Sequence, residues 1–198
     1  MPYSNPSQRA PADPPGRSMP VATPADVVGF WRKAGPARWF AADPDFDRQC
    51  RVRFLDAHLA AARRELDGWG DGAEGALALL VLLDQIPRNV FRGNAHAYAT
   101  DPLARRFATQ ALAAGHDQAC PPELRLFFYL PFEHSEDTAD QQRSVALFEA
   151  LGDAETLRYA IAHRDVIARF GRFPHRNAAL GRDSTPDEQA WLDAGGGW

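Results

Sequence analysis

Four times in this chain a threonine or aspartate stands directly before a proline: Thr23-Pro24, Asp43-Pro44, Asp101-Pro102 and Thr185-Pro186. A side chain that accepts hydrogen bonds from first-turn N–H groups, followed by a residue whose missing N–H costs nothing at that position, is a helix start. Thr185 to Glu188 adds capping-box spacing, and Gly35, Gly115, Gly152 and Gly171 stand where left-handed C-caps end helices. Between these marks apolar residues recur at three and four, as in Phe46, Cys50, Phe54, Ala57 and in Leu147, Leu151, and no stretch alternates as a strand would. The pattern predicts an all-α fold of about eight helices, over 24–34, 44–67, 73–86, 102–114, 122–130, 136–151, 154–170 and 186–194. Short connections favour antiparallel neighbours, hence helical hairpins stacked side by side.

At 198 residues the chain suits one domain, expected over 23–198, behind a Pro- and Ser-rich segment over 1–22 that reads as a disordered tail. That segment lacks the basic start and apolar run of a secretory signal. Cys50 and Cys120 are too few for a disulfide framework, so the expected setting is reducing and cytoplasmic. The net charge of −4 argues against a nucleic-acid surface. No apolar stretch approaches the ~20 residues a membrane span needs; the longest runs from Ala76 to Leu83.

The helix 73–86 is apolar on nearly every side, which marks it as central, yet its last turn carries Asp84 and Gln85. A carboxylate at a helix C-terminus needs a cation to answer it, either Arg88 beyond Pro87 or an arginine from the C-terminal segment. On helix 154–170, taking Leu157 as zero, His163 falls near about 240 degrees and Arg164 near about 340, both directed toward the apolar arc. An inward guanidinium keeps its charge and demands a carboxylate or a bound anion. Candidate acids are Asp84, Glu133, Glu136 and Asp137. Arg164, Arg169, Arg172, Arg176 and Arg182 lie close together with only Asp165 and Asp183 among them, which suits a local anion site.

Glu133, His134 and Glu136 permit a different chemistry, because a histidine beside carboxylates exchanges protons near neutrality; His134, His163 or His175 is then the base. A metal is not expected: neither His-Glu-x-x-His nor Glu-x-x-His occurs, and the histidines lie on separate segments. No phosphate loop or nucleophile elbow appears, and no motif implies a cofactor. Pro87-Arg-Asn89 and Pro174-His-Arg-Asn177 echo each other, each after an apolar helix and a break. Trp31 and the pair Trp39-Phe40 are assigned to the core.

Phe30-Trp31, Trp39-Phe40, Leu82-Leu-Asp-Gln-Ile-Pro-Arg-Asn-Val-Phe-Arg92, Tyr98-Ala-Thr-Asp-Pro102, Tyr129-Leu-Pro-Phe-Glu-His-Ser-Glu-Asp137, Gln141-Gln-Arg-Ser144, His163-Arg-Asp165 and Arg169-Phe-Gly-Arg-Phe-Pro-His-Arg-Asn177 resemble the DUF924 family of uncharacterised proteins. The resemblance runs from about Pro24 to the C-terminus. It implies a helical fold similar to the tetratricopeptide-like superfamily, although no 34-residue repeat appears here. It assigns no activity.

Three readings follow. In the first, a polar pocket binds a small anionic molecule or an acidic peptide terminus through Asp84, Arg88, Asn89, Glu136, Arg164, Arg169, Arg172, His175, Arg176 and Asn177. In the second, the same pocket belongs to a hydrolase or transferase with His134 or His163 as base and an acid such as Glu133 or Glu136 orienting it. In the third, the stack is a scaffold whose outer faces bind a protein partner, and the polar motifs only hold helices in register. None involves nucleic acid or a membrane.

Overall fold

The computed structural model describes residues 22–197, and every regular element within them is helical. Three of the four Thr/Asp-Pro pairs open helices as expected. Thr23 and Asp26 form a capping box on α1 (Pro24–Ala34), and Thr185 and Glu188 form another on α11 (Pro186–Asp193). The Asp43 carboxylate accepts from the N–H groups of Asp45 and Phe46 to start α3 (Pro44–Ala62), while a short α2 (Pro36–Trp39) fills the connection. The fourth pair behaves differently. Asp101 lies inside α6 (Asp101–Ala113) and caps nothing, because its buried carboxylate is drawn inward to Arg88 at 2.9 Å. The tail expected over 1–22 lies outside the described residues except for Ala22, which packs on the core.

α3 stops at Ala62, short of the expected 67, because Arg64 takes the left-handed conformation at φ 69°. The Glu65 N–H then closes on the Ala60 carbonyl and the Arg64 N–H on that of Ala61, both at 3.0 Å, the double closure glycine usually provides. The guanidinium of Arg64 forks onto Asp67, which holds the turn.

The centre of the molecule is a rod made of α4 (Ala73–Leu80), a π-helical turn (Val81–Gln85) and α5 (Ile86–Val90). It runs straight past Ile86, where the expected helix ended at Pro87. The π turn is why. The Ile86 N–H reaches back five residues to Val81, and Pro87, having no N–H, can serve neither Leu82 nor Leu83. Two orphaned carbonyls would result in the middle of the core. Side chains from elsewhere satisfy both: His58 of α3 bonds Leu82 O at 2.8 Å, and the Thr100 hydroxyl donates to Leu83 O at 2.5 Å. Burial holds the His58 ring below its ordinary pKa, consistent with a neutral imidazole donating through Nδ1.

Around the rod pack α1, α3, α6 and α7 (Leu126–Glu133). α7 then forms an antiparallel stack with α8 (Thr138–Leu151) and α9 (Ala154–Phe170), and a short α10 (Asn177–Leu180) follows. Helix α7 begins later than expected and ends later, passing through Pro131 to Glu133. One core joins Trp31, Phe46, Phe54, Leu77, Leu80 and Phe127, and a small satellite of Val166, Ile167 and Phe173 sits beneath Trp191. The stacked helical hairpins are those the pattern predicts. Among the described residues no helix is long and apolar enough to cross a membrane.

Candidate functional site

Two interrupted helices deliver the central acids. Asp84 sits on the π turn of the rod, and Glu133 is the last residue of α7, with His134 as its C-cap. Both helices continue past a proline: Asp84 lies on the turn whose N–H pairing Pro87 breaks, and Glu133 and His134 close α7 just after Pro131. His163 enters from the inner face of α9.

Asp84 is almost wholly buried. Its Oδ1 lies 2.7 Å from His134 Nδ1 and its Oδ2 accepts from Gln85 at 2.5 Å. Burial alone would raise this carboxyl, but the charge and hydrogen bond of His134, with Arg88 behind them, hold it below its ordinary range. Glu133, 3% exposed, has no such rescue. Burial first, then the neighbouring Asp84, push its carboxyl up to about 8, so it carries a proton at neutral pH. Its Oε1 is 3.3 Å from His163 Nδ1, which also donates to the Tyr159 carbonyl at 2.9 Å. Burial, then His134, drive His163 down to about 3. The His163–Glu133 contact is therefore between two neutral groups at pH 7. Glu133 Oε2 has no hydrogen-bond partner among the described residues.

These groups close the end of a cleft of about 820 Å³, bounded by α2, α7, α8 and α9. Trp39, Leu126, Leu130, Phe148, Leu151 and Tyr159 are among its walls, Glu133, His134 and His163 are its buried or half-buried polar lining, and Glu123, Asp153 and Glu155 its exposed acidic lining. Such a volume and an apolar lining with few convergent polar groups fit a small organic guest. Trp39 is buried as expected, but Phe40 is 62% exposed and lines this cleft instead of the core.

Beside the cleft, the echoed motifs meet. Arg88 and Arg176 approach the same Asp101 carboxylate, at 2.9 and 3.5 Å, and lie 4.7 and 4.6 Å from the centre of the Tyr98 ring. Burial and Arg88 lower Arg176 to about 10, which leaves it cationic at neutral pH. Burial pushes His175 down to about 4, with Arg176 adding to it, and its ring packs 5.6 Å from that of Phe173.

The other candidates lie elsewhere. Arg164 does not enter the core: its side chain is 38% exposed and paired with Asp165, because a long arginine stem lets the charged head leave an apolar arc. Arg169 is exposed and covers the neighbouring Phe170 ring. Arg172 forks onto Glu188 at 2.6 and 2.8 Å and fastens α11. Asn177 bonds Ser184 and Glu188, and Asn89 donates to the Gln85 carbonyl. Glu136 binds Arg182 at 2.8 and 2.9 Å and accepts from Phe173 N–H. Asp137 caps α8.

Sequence reasoning missed Asp101 as an inward acid. A signal existed: Thr100 and Asp101 both precede Pro102, two capping residues for one helix, which leaves one spare. Nothing local marks Tyr98, Leu130 or Tyr159 as neighbours of the acids.

Comparison with known proteins adds kinship without chemistry. Residues 27–196 match a family described as bacterial protein of unknown function, DUF924. The solved structure of a protein of unknown function from Agrobacterium tumefaciens aligns with a TM-score of 0.84 and 58% identity, covering 86% of this chain and 97% of that one. No curated protein matches.

Proposed function

The chain belongs to the DUF924 family of bacterial proteins of unknown function, and we propose that it is an acid–base enzyme, a hydrolase or transferase, working in the cleft at the end of α7. The observation that carries this reading is the contrast between adjacent residues: His134 hydrogen-bonded to Asp84 at 2.7 Å, next to a Glu133 that keeps its proton to about 8. Groups whose surroundings push them toward opposite roles are how one site runs acid and base chemistry together.

Nδ1–H of His134 donates to Asp84, which leaves Nε2 as the basic atom of a ring that lines the cleft. On Glu133, Oε1 faces His163, so the acidic hydrogen belongs on the unpartnered Oε2. In the reaction, Nε2 takes the proton of an attacking water or hydroxyl as its oxygen bonds to the substrate's acyl carbon. The leaving group departs with the Glu133 proton. His134 then holds one proton more and Glu133 one fewer, and solvent exchange resets both. Water as nucleophile gives a hydrolase; a second substrate's hydroxyl gives a transferase.

Binding of an anion has less support. Among the described residues no lysine or arginine lines the cleft, and Arg88 and Arg176 both reach Asp101. A scaffold role calls for mutually satisfied polar groups, whereas Glu133 Oε2, Asp101 Oδ1 and Arg176 Nε are buried without a hydrogen bond among the described residues.

The test is turnover of a panel of chromogenic esters and amides as a function of pH. Expected are an alkaline limb near pH 8, where Glu133 loses its proton, and a loss of about 100-fold or more in each of Glu133→Gln and His134→Gln. Turnover indifferent to both substitutions overturns the proposal.

A further inference from the structure

The charges around the cleft are one-sided. Glu123, Asp153 and Glu155 line it and are exposed, while among the described residues no lysine or arginine does. Glu123 also meets Arg32 at 3.0 Å, and one oxygen of Asp153 caps α9; Glu155 has no side-chain partner among the described residues. Phe40 and Tyr159, both partly open to solvent, line the same cleft with their rings. Glu133, which also lines the cleft, is nearly fully buried with Oε2 unpartnered among the described residues, a group open to a hydrogen bond with a guest.

We infer that the cleft takes a substrate with an apolar or aromatic body and one protonated amine, the amine held by Glu123 and Glu155 and the reacting group presented to Glu133 and His134. The inference rests on the reading of the cleft as the reactive site and names its substrate class. An acidic opening on low-dielectric walls concentrates cations, and aromatic faces add attraction for an ammonium. The volume of about 820 Å³ suits a body of a dozen or so heavy atoms with room for an attacking water. An anionic guest meets the exposed carboxylates of Asp153 and Glu155 and no lining arginine or lysine among the described residues.

Three probes of one shape separate charge from shape: phenylpropylamine, phenylpropanol and phenylpropanoate, titrated calorimetrically into the full chain at pH 7 and low salt. The amine is expected to bind at least about tenfold more tightly than the alcohol, and the carboxylate most weakly. In a Glu123→Gln, Glu155→Gln double variant, both changes at exposed positions, amine affinity falls to that of the alcohol while alcohol affinity stays put. Carboxylate binding equal to the amine's, or an amine preference that survives the double variant, overturns the inference. Amine and alcohol binding alike overturns it too, yet leaves the acid–base reading intact provided turnover still depends on Glu133. Binding of none of the three ends the inference, and Glu133-dependent turnover then decides the acid–base reading alone.

Discussion

Replacing Glu133 by glutamine keeps the shape of the carboxylic acid and removes its proton, so it isolates one titration. In the native protein the group holds its proton to about 8; unfolded, it releases it near its ordinary 4.5. Between those values the native state binds more protons than the unfolded state. The sign follows: this contribution is complete below pH 4.5, shrinks as pH rises, and is gone once pH passes the folded value. Its slope reaches about 1.4 kcal/mol per pH unit. Buried histidines act oppositely, since His163 and His175, lowered to about 3 and about 4, favour the native state as pH rises toward their ordinary 6.5. Above pH 6.5 they are neutral in both states, which makes the interval from there to 8 the clean one. Across it the wild type should lose about 2 kcal/mol relative to Glu133→Gln, then level off. Urea unfolding at several pH values reads this as converging midpoints. Parallel curves would mean that Glu133 is already ionised in the folded protein, and the proposed proton donor would not exist.

Other outcomes follow from the same geometry. Thr100→Val removes the one side-chain donor to Leu83 O among the described residues and should cost about 1–3 kcal/mol of unfolding free energy, with the native helical signal kept; an unchanged midpoint would contradict the account of the π turn. Gly75→Ala drives a methyl group into the Trp69 carbonyl, a backbone atom that cannot rotate away, so calorimetry should show a Tm lowered by several degrees or more. Arg164→Ala, at a partly exposed pair with Asp165, should change stability by no more than about 0.5 kcal/mol, and a larger loss would restore the inward placement that the helical wheel implies.

What could be read from the sequence divides along a physical line. The bounds of α1 and α9 match expectation because capping is local: Thr23 with Asp26, Asp153 with Glu155 and Thr156, and a glycine after each helix need nothing from afar. The passage of the rod through Pro87 was not legible, because it depends on side chains 24 and 17 residues from the carbonyls they satisfy. Asp84, Glu133, His134 and His163 stood out as polar groups in apolar stretches, and the fold brings them together. Arg164 stood out by periodicity and lies apart, since periodicity assigns a direction to the Cα–Cβ bond and not to a guanidinium several bonds farther out, while Arg169 and Arg172 stood out only by their closeness in sequence, which does not make them converge in space. The cleft walls escaped notice because Trp39, Leu130 and Tyr159 share a cleft only once α2 and α9 both pack on α7.

The π turn carries a consequence for how the chemistry can be lost. It accommodates one residue more than a regular helix of the same rise, and each helical residue advances the azimuth by about 100 degrees. Deleting a single residue between Val81 and Gln85 would let the rod regularise while leaving its greasy surface largely intact. The flanks on either side would keep their phase, Arg88 with them, while Asp84, inside the turn, would be re-aimed relative to His134. The scaffold tolerates that edit; the proposed pairing of Asp84 with His134 does not.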